Sequence, residues 1–382
     1  MILKDYLDSK PLYYDEIDYT RMPRVYEKIK SSLPLKSVIH IIGTNGKGTT
    51  GRFLANALYA MGHSVGHYTS PHILEFNERI WLNGSNTTDA ELEDAHVELQ
   101  KLLPKSDLDS LSYFEYTTLL AAIIFNKCDY VVMEAGLGGE FDATAVFPKR
   151  LTLVTPIAYD HEAFLGSSIE SIASTKLNAI QNSAILAPQS YDEVYGIADI
   201  LKSEKSINIK RVDEVLDEKD MELIENIAKK LSLAPYLKEN LSLSIAALKF
   251  LGLEYKIEHF SSAPLFGRIT KISDDIIIDV GHNALAAQSI VDALRGEKYI
   301  IIYNSYKDKN YKEILRILRP IALHVEIITI SDKRAEKIEN IETVLDSLEI
   351  KYSIFNKIKP KQKYLVFGSF SVVERFLREY YE

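Results

Sequence analysis

Gly43-Thr44-Asn45-Gly46-Lys47-Gly48-Thr49-Thr50 is the stretch that decides the fold. It follows the β-branched run Val38-Ile39-His40-Ile41-Ile42 and precedes Phe53, Leu54, Ala57, Leu58 and Met61, which fall at helical spacing. A strand, a glycine-rich turn and a helix in that order make a phosphate loop. The glycines let backbone N–H groups curl around phosphate oxygens, the helix presents its positive N-terminal end, and Lys47 adds a full charge. The strict pattern G-x-x-x-x-G-K-[ST] is not met: Gly48 directly follows the lysine, so the hydroxyl comes one position later, from Thr49. The alternative is an ordinary glycine-rich turn. The ordered set of strand, loop, lysine, hydroxyl and helix favours phosphate.

Outward from this loop, short β-branched runs alternate with longer amphipathic stretches, as in a parallel sheet covered by helices. Strands are expected at 64–68, 130–133, 151–155, 184–187 and 207–211, and helices at 89–103, 113–126, 169–181, 191–203 and 235–251. The pattern stops around Phe260-Ser261-Ser262-Ala263-Pro264 and resumes with Ile276-Ile277-Ile278-Asp279-Val280. Further strands at 299–303, 325–330 and 364–367 follow, with a last helix at 372–381. The expected fold class is α/β: a P-loop domain with a mostly parallel sheet over 1–262, then a smaller α/β domain over 263–382.

Composition narrows the function. A chain of 382 residues, 46% hydrophobic, holds roughly two to three domains with real cores. Its net charge of −9 repels nucleic acid. The single cysteine, Cys128, excludes an internal disulfide and any C-x-x-C site, which points to a reducing compartment. Acids stand among the first ten residues without an apolar signal core, and the longest uncharged apolar run, 117–126, is half of what spans a bilayer. A soluble cytoplasmic protein is expected, with no nucleic acid or membrane as partner.

Several strings carry possible chemistry. Tyr68-Thr69-Ser70-Pro71-His72 and Phe76-Asn77-Glu78-Arg79 follow a strand; the Ser-Pro step stops pairing and holds a hydroxyl where parallel-sheet ligands bind, although alone it reads as a plain turn. In Tyr130-Val131-Val132-Met133-Glu134-Ala135-Gly136-Leu137-Gly138-Gly139 a carboxylate ends a buried strand. Beside a phosphate loop it suits Mg²⁺; elsewhere it would cap a helix or pair with a lysine. Asp160-His161 reads equally as metal ligand, general base or helix cap. Lys176, taken by itself, reads as a solvated helix lysine. In the second half, Gly267-Arg268, Asp279-Val280-Gly281-His282-Asn283 and Gly368-Ser369-Phe370 sit at turns or strand ends. There Arg268 would clamp a phosphate and Asp279 would accept from ribose hydroxyls, or both are a salt bridge and caps. Asn126-Lys127-Cys128-Asp129 matches the guanine-reading N-K-x-D pattern, but it closes a helix and precedes a strand, the reverse of the GTPase order.

Taken in order, these strings resemble the folylpolyglutamate synthase / dihydrofolate synthase family of Mur-ligase-like ATP-dependent amide ligases. The resemblance runs from Gly43–Thr49 through Ser70-Pro71-His72, Phe76-Asn77-Glu78-Arg79, Phe114-Glu115, Thr118, Glu134–Gly139, Asp142-Ala143-Thr144, Asp160-His161, Asn240, Gly267-Arg268 and Asp279 to His282-Asn283. It implies a P-loop NTPase-like domain followed by a Rossmann-like one. It also implies an activity in which ATP phosphorylates a carboxylate and the amino group of L-glutamate displaces the phosphate.

Carried over by position, the resemblance gives Asn45, Gly46, Lys47, Gly48, Thr49 and Thr50 to the phosphates and Asn240, Arg268 and Asp279 to the rest of ATP. Thr49, Ser70, Glu134 and His161 would serve two Mg²⁺ ions together with Lys176, which matches a lysine that is carbamylated in the family and so reverses its solvated reading. Ser70, Thr118, Asp142, Ala143 and Thr144 would face the pterin substrate, dihydropteroate or a reduced folate, and His282 the incoming glutamate. Lys47, Lys176 and His282 would be the catalytic set, in a monomer. The chain departs from the family at Glu140 and Ala145, where Arg and Asn are usual, around Lys176 (Thr175-Lys176-Leu177-Asn178-Ala179), and at Ala284 after Asn283. Glu140 and Ala145 bear on the balance between adding the first glutamate and extending a tail. The rival readings are a Mur-type ligase of peptidoglycan precursors, disfavoured because only about 36 residues precede the first strand, and a P-loop GTPase or ATPase module, which leaves the second domain unexplained.

Overall fold

The computed structural model describes residues 2–10, 18–260 and 265–381. The expected boundary between 262 and 263 lies outside the described residues. The chain forms two compact units. The first holds Met1–Ala158, Glu162–Leu231 and Glu239–Ala263; the second holds Tyr159–His161, Ser232–Lys238 and Pro264–Glu382.

In the first unit the strands are β1 (Ser37–Ile42), β2 (Val65–Tyr68), β3 (Ile80–Leu82), β4 (Ser85–Asn86), β5 (Tyr130–Glu134), β6 (Leu151–Val154), β7 (Ser183–Leu186) and β8 (Asn208–Arg211). They form one sheet in the order β4-β3-β2-β5-β1-β6-β7-β8, parallel except where β3 pairs with β2 and β4. β1 lies between β5 and β6, with Ile41 opposite Glu134 and Ile42 opposite Val154. Val38, Ile39, Ile41 and Ile42 are buried, as a central parallel strand covered on both faces requires. The β3–β4 hairpin, absent from the sequence expectation, turns on Asn83-Gly84, whose φ values of 46° and 104° suit the tight turn that Asn-Gly favours.

The second unit contains β9 (Thr270–Ser273), β10 (Ile276–Asp279), β11 (Tyr299–Tyr303), β12 (Ala322–Ile327), β13 (Tyr352–Ile354) and β14 (Tyr364–Phe367), in the order β13-β12-β11-β14-β10-β9. β9 is antiparallel to β10 and the other pairings are parallel. Ile301, Ile302, Tyr303, Leu365, Val366 and Phe367 fill its core.

Three expected elements end elsewhere, each for a local reason. The helix expected over 169–181 is Ile169–Leu177; Ala179 and Ile180 donate to Lys176 and Leu177 carbonyls at 3.2 and 3.0 Å, tightening the last turn so the chain can enter β7. The strand expected over 325–330 runs from Ala322 to Ile327, because β11 offers no partner beyond Tyr303. The last helix is Phe370–Phe376, after which Leu377–Tyr381 widens into a π turn. The Asn126–Asp129 string has a structural account: Asn126 donates to the Ser32 carbonyl at 3.2 Å and Asp129 accepts from Ser64 N and Oγ at 3.1 and 2.8 Å.

The helix Asp89–Leu102 begins with a capping box in which Thr88 Oγ1 accepts from Glu91 N at 3.2 Å and Glu91 Oε2 from Thr88 N at 2.7 Å. Replacing Thr88 by Ala is expected to lower stability by about 1 kcal/mol, read as a lower urea midpoint with an unchanged slope.

Candidate active site

β2, β5, β1 and β6 are neighbours whose carboxyl ends, Tyr68, Glu134, Ile42 and Val154, lie at one edge of the sheet, where open parallel sheets bind ligands. The phosphate loop leaves this edge at Gly43. A Cβ at Gly43, φ 135°, would stand 2.1 Å from Thr155 Oγ1, and one at Gly46, φ 88°, would stand 2.4 Å from Asn240 Oδ1. Only glycine fits either place. Thr44 N and Asn45 N donate to the Pro156 carbonyl at 2.9 and 3.4 Å, and Thr44 Oγ1 accepts from Ala158 N at 3.0 Å. The helix Lys47–Ala60 starts directly behind.

Lys47 Nζ donates to the Thr44 carbonyl at 3.1 Å and lies 3.7 Å from Glu134 Oε1. The other oxygen of Glu134 accepts from Thr69 Oγ1 in a short bond and from Ser70 N at 3.3 Å. Thr49 Oγ1, Thr50 Oγ1 and Asn240 Nδ2 are buried without a protein partner among the described residues. Buried polar atoms are normally paired, so these three mark where a polar ligand would complete the structure.

Lys176 is 4% exposed and donates to the Gly43 carbonyl at 2.9 Å, which overturns its reading as a solvated lysine. Its helix buries Ile169, Ile172 and Ala173 on the same face. That spacing was the available signal: Lys176 sits on the apolar stripe, where a helix lysine has no reason to be unless a partner lies below.

The loop after Glu134 is closed by Asp142. Its carboxylate accepts from Gly136 N, Leu137 N and Thr144 N at 3.0, 2.9 and 2.9 Å and from Thr144 Oγ1 at 2.5 Å. Burial raises its pKa while these donors pull it down. Ala143 is buried, and Thr118 is buried with Oγ1 donating to the Phe114 carbonyl at 2.8 Å.

The remaining expected residues lie in the second unit. Asp160 accepts from Lys309 Nζ at 2.5 Å, with His282 Nε2 at 3.7 Å and His161 Nε2 at 3.9 Å. Burial pulls its pKa up, but His282, His161 and Lys309 beside it hold it well below the usual carboxylate range. The Asp160 carboxylate is the hub of a cluster with Lys309, His282 and His161, an arrangement that none of the three open readings of Asp160-His161 named. Lys309 is the member that sequence reasoning missed, since Lys307-Asp308-Lys309 looks like any charged surface turn. His282 Nδ1 is 3.1 Å from the Val280 carbonyl, and Asn283 Oδ1 accepts from Ala286 N at 2.9 Å, capping the helix Ala284–Ala293. Asp279 is buried, accepting from Gly281 N at 2.7 Å, Ile269 N at 2.9 Å and Tyr236 OH at 3.1 Å. The Arg268 guanidinium stands 5.4 Å from the Phe370 ring centre.

The first unit thus brings Lys47, Ser70, Glu134, Lys176 and Asn240 around one loop, and the second carries His161, Arg268, Asp279 and His282. Among the described residues no group of three or more His, Cys, Asp or Glu stands close enough to hold a metal by itself, and no helix is long and apolar enough to cross a membrane.

No family model matches the chain. It is 30% identical over 403 residues to the dihydrofolate synthase/folylpolyglutamate synthase of Buchnera aphidicola subsp. Acyrthosiphon pisum, covering 97% of this chain and 95% of that protein. The chain belongs to the dihydrofolate synthase/folylpolyglutamate synthase family. Helicobacter pylori folylpolyglutamate synthetase superposes with a TM-score of 0.81 at 37% identity, covering 98% of this chain and 97% of that one. The bifunctional folylpolyglutamate synthase/dihydrofolate synthase of Yersinia pestis, complexed with AMPPNP and Mn ion, gives 0.83 at 25% identity over 98% and 96% of the two chains.

The Lys309–Asp160 pair is buried on both sides, at 7% and 8% side-chain exposure. Replacing Lys309 by Met takes the nearest cation from a buried carboxylate, leaving the His282 and His161 rings at 3.7 and 3.9 Å, and is expected to cost about 3 kcal/mol. Adding Asp160→Asn to that variant should recover much of the loss, measured by denaturant unfolding.

Proposed function

We propose that the chain is an ATP- and Mg²⁺-dependent ligase that joins L-glutamate to the carboxylate of dihydropteroate, and to the glutamate tail of reduced folates as a second activity. The observation that carries this reading is the phosphate loop with its orphaned polar atoms, Thr49 Oγ1, Thr50 Oγ1 and Asn240 Nδ2, in a chain that matches the family over almost its full length.

A free carboxylate is a poor electrophile. Its oxygen attacks the γ-phosphorus of ATP, the bond to the bridging β–γ oxygen breaks, and ADP leaves with the electron pair. The acyl phosphate then takes the glutamate amine at its carbonyl carbon; phosphate departs, an amide forms, and the amine's proton is lost to solvent or base. Backbone N–H groups of Gly46–Thr49 and the helix behind them hold the phosphates, and Lys47 balances the charge that builds on the transferring group. Among the described residues Lys47 is engaged only by a carbonyl and by a carboxylate at 3.7 Å, so it turns to a phosphate without breaking a strong pair.

Mg²⁺, which neutralises phosphate charge and polarises the γ-phosphoryl group, would be held by Thr49, Ser70 and Glu134, the remaining positions coming from ATP and water. Thr49 Oγ1 and Glu134 fit that part, since one is buried without a protein partner among the described residues and the other is a buried carboxylate beside the loop. His161 and a carbamylated Lys176 would serve a second ion; burial against the Gly43 carbonyl places the Lys176 nitrogen beside the phosphate loop. Arg268 and Asp279 are read as contacts to the rest of ATP and His282 as a contact to glutamate. The working protein is taken to be a cytoplasmic monomer of two domains divided near 262/263, with 159–161 and 232–238 grouped with the second.

Phosphate release from ATP should require dihydropteroate and L-glutamate together, and omission of either should abolish it. Release that needs neither, or none under any combination, would sink the ligase reading. Lys47→Ala should lower kcat on the order of a hundredfold or more. Lys176→Ala should be impaired and partly restored by short-chain carboxylic acids; an unimpaired variant rules out the carbamate.

A further inference from the structure

The strand that delivers the phosphate loop is wired to the loop that Asp142 closes. His40, on β1, is fully buried, and its Nε2 lies 2.8 Å from Thr144 Oγ1. Thr144 Oγ1 in turn lies 2.5 Å from Asp142 Oδ1. A hydroxyl has one proton and a carboxylate only accepts, so with Thr144 donating to Asp142 the His40 Nε2 must carry the hydrogen of the first bond. The ring is then the neutral Nε2–H tautomer. Burial, with the nearby Lys149 charge, pushes its pKa well below the usual histidine value and keeps it so.

The other ring nitrogen, Nδ1, is buried without a protein partner among the described residues. Such an atom costs about 1–3 kcal/mol, a cost that a phenylalanine or leucine in this apolar strand would not carry. What the imidazole supplies that they do not is the Nε2–H. That hydrogen sets the direction of the Thr144 hydroxyl, which with Thr144 N holds Asp142 Oδ1, leaving Oδ2 for Gly136 N and Leu137 N. Both carboxylate oxygens are therefore taken by the protein, and the contribution of Asp142 is the shape of the loop. The loop begins two residues after Glu134, whose carboxylate faces Lys47.

We propose that His40 is a positioning residue for the carboxylic acid substrate: through Thr144 and Asp142 it holds the 136–144 loop in the form that receives the flat aromatic acid. The assignment rests on the ligase reading above and on the family resemblance, which implies that Asp142, Ala143 and Thr144 face the pterin. It predicts that breaking the relay weakens one substrate and spares the other.

The test is steady-state phosphate release by the intact chain, with dihydropteroate and ATP varied separately and thermal unfolding recorded for each variant. His40→Phe should raise KM for dihydropteroate about tenfold, the loss of one hydrogen bond at about 1.4 kcal/mol, with KM for ATP within about twofold of wild type. His40→Gln, whose amide also donates, should recover much of this. Thr144→Val, which removes the hydroxyl at nearly constant shape, should give the same rise, and the double variant no more than either single one. If His40→Phe does not fold, His40→Gln and Thr144→Val carry the comparison. An unchanged KM for dihydropteroate, an equal rise in KM for ATP, or additive effects in the double variant would overturn the proposal. A wild type that releases no phosphate with dihydropteroate and glutamate overturns the ligase reading itself, and is seen before any variant is made.

Discussion

No side chain fits at Gly43 or Gly46, and the first unit is organised around that crowding. Thr155 at the end of β6 fills the space beside Gly43, and Asn240 fills the space beside Gly46. The Pro156 carbonyl takes two N–H groups of the loop, and the Gly43 carbonyl takes the Lys176 ammonium. Segments more than a hundred residues apart are thereby pressed against a few atoms of backbone. The loop is rigid because its surroundings leave it one path, and a rigid ring of N–H groups binds phosphate without first having to order itself. The same contacts bring Lys176 and Asn240 to the site, so the crowding that shapes the loop also recruits its neighbours.

The sequence was most readable where one residue type has one physical use. Glycines between a β-branched run and a helical stripe and a carboxylate at the end of a buried strand both point to their structural places, whereas Asp142-Ala143-Thr144 stands out only through the family resemblance. It was less readable where the meaning of a residue depends on something distant. Lys176 looks solvated until the apolar stripe it shares with Ile169, Ile172 and Ala173 is noticed. Lys309 carries no local signal, because its partner Asp160 is 149 residues away. The β3–β4 hairpin was legible in Asn83-Gly84, but its strands are too short to show alternation. The ends of β12 and of the helix Ile169–Leu177 depend on the reach of a neighbouring strand and on the need to turn, which periodicity does not encode.

Charge shows a similar division between average and local. The net charge of −9 is an average over the chain, whereas the interior of the first unit buries cations and carboxylates side by side. Lys149 and Lys176 are buried, and each donates to a backbone carbonyl, of Ala145 and Gly43. Burial lowers the Lys149 pKa to about 8, the direction expected for an ammonium removed from water. Carbonyl oxygens hold these groups in place, and the Asp142 charge works against the effect of burial on Lys149. A fully formed Lys–carboxylate pair would have been self-contained.

Lys47 illustrates why that distinction matters for catalysis. Had it been locked to Glu134 at hydrogen-bond distance, turning to a phosphate would leave a buried carboxylate unpaired, at a cost of several kcal/mol. At 3.7 Å the pair keeps both groups near the loop without a direct hydrogen bond, and the other Glu134 oxygen is held by Thr69 and Ser70. The geometry therefore separates two tasks. Hydroxyl and backbone donors hold the carboxylate still, and the lysine remains available to follow charge as it moves. A site that must first bind a triphosphate and then stabilise the phosphoryl group in transit gains more from that separation than from a stronger ground-state ion pair, because only the interactions that strengthen in the transition state raise the rate.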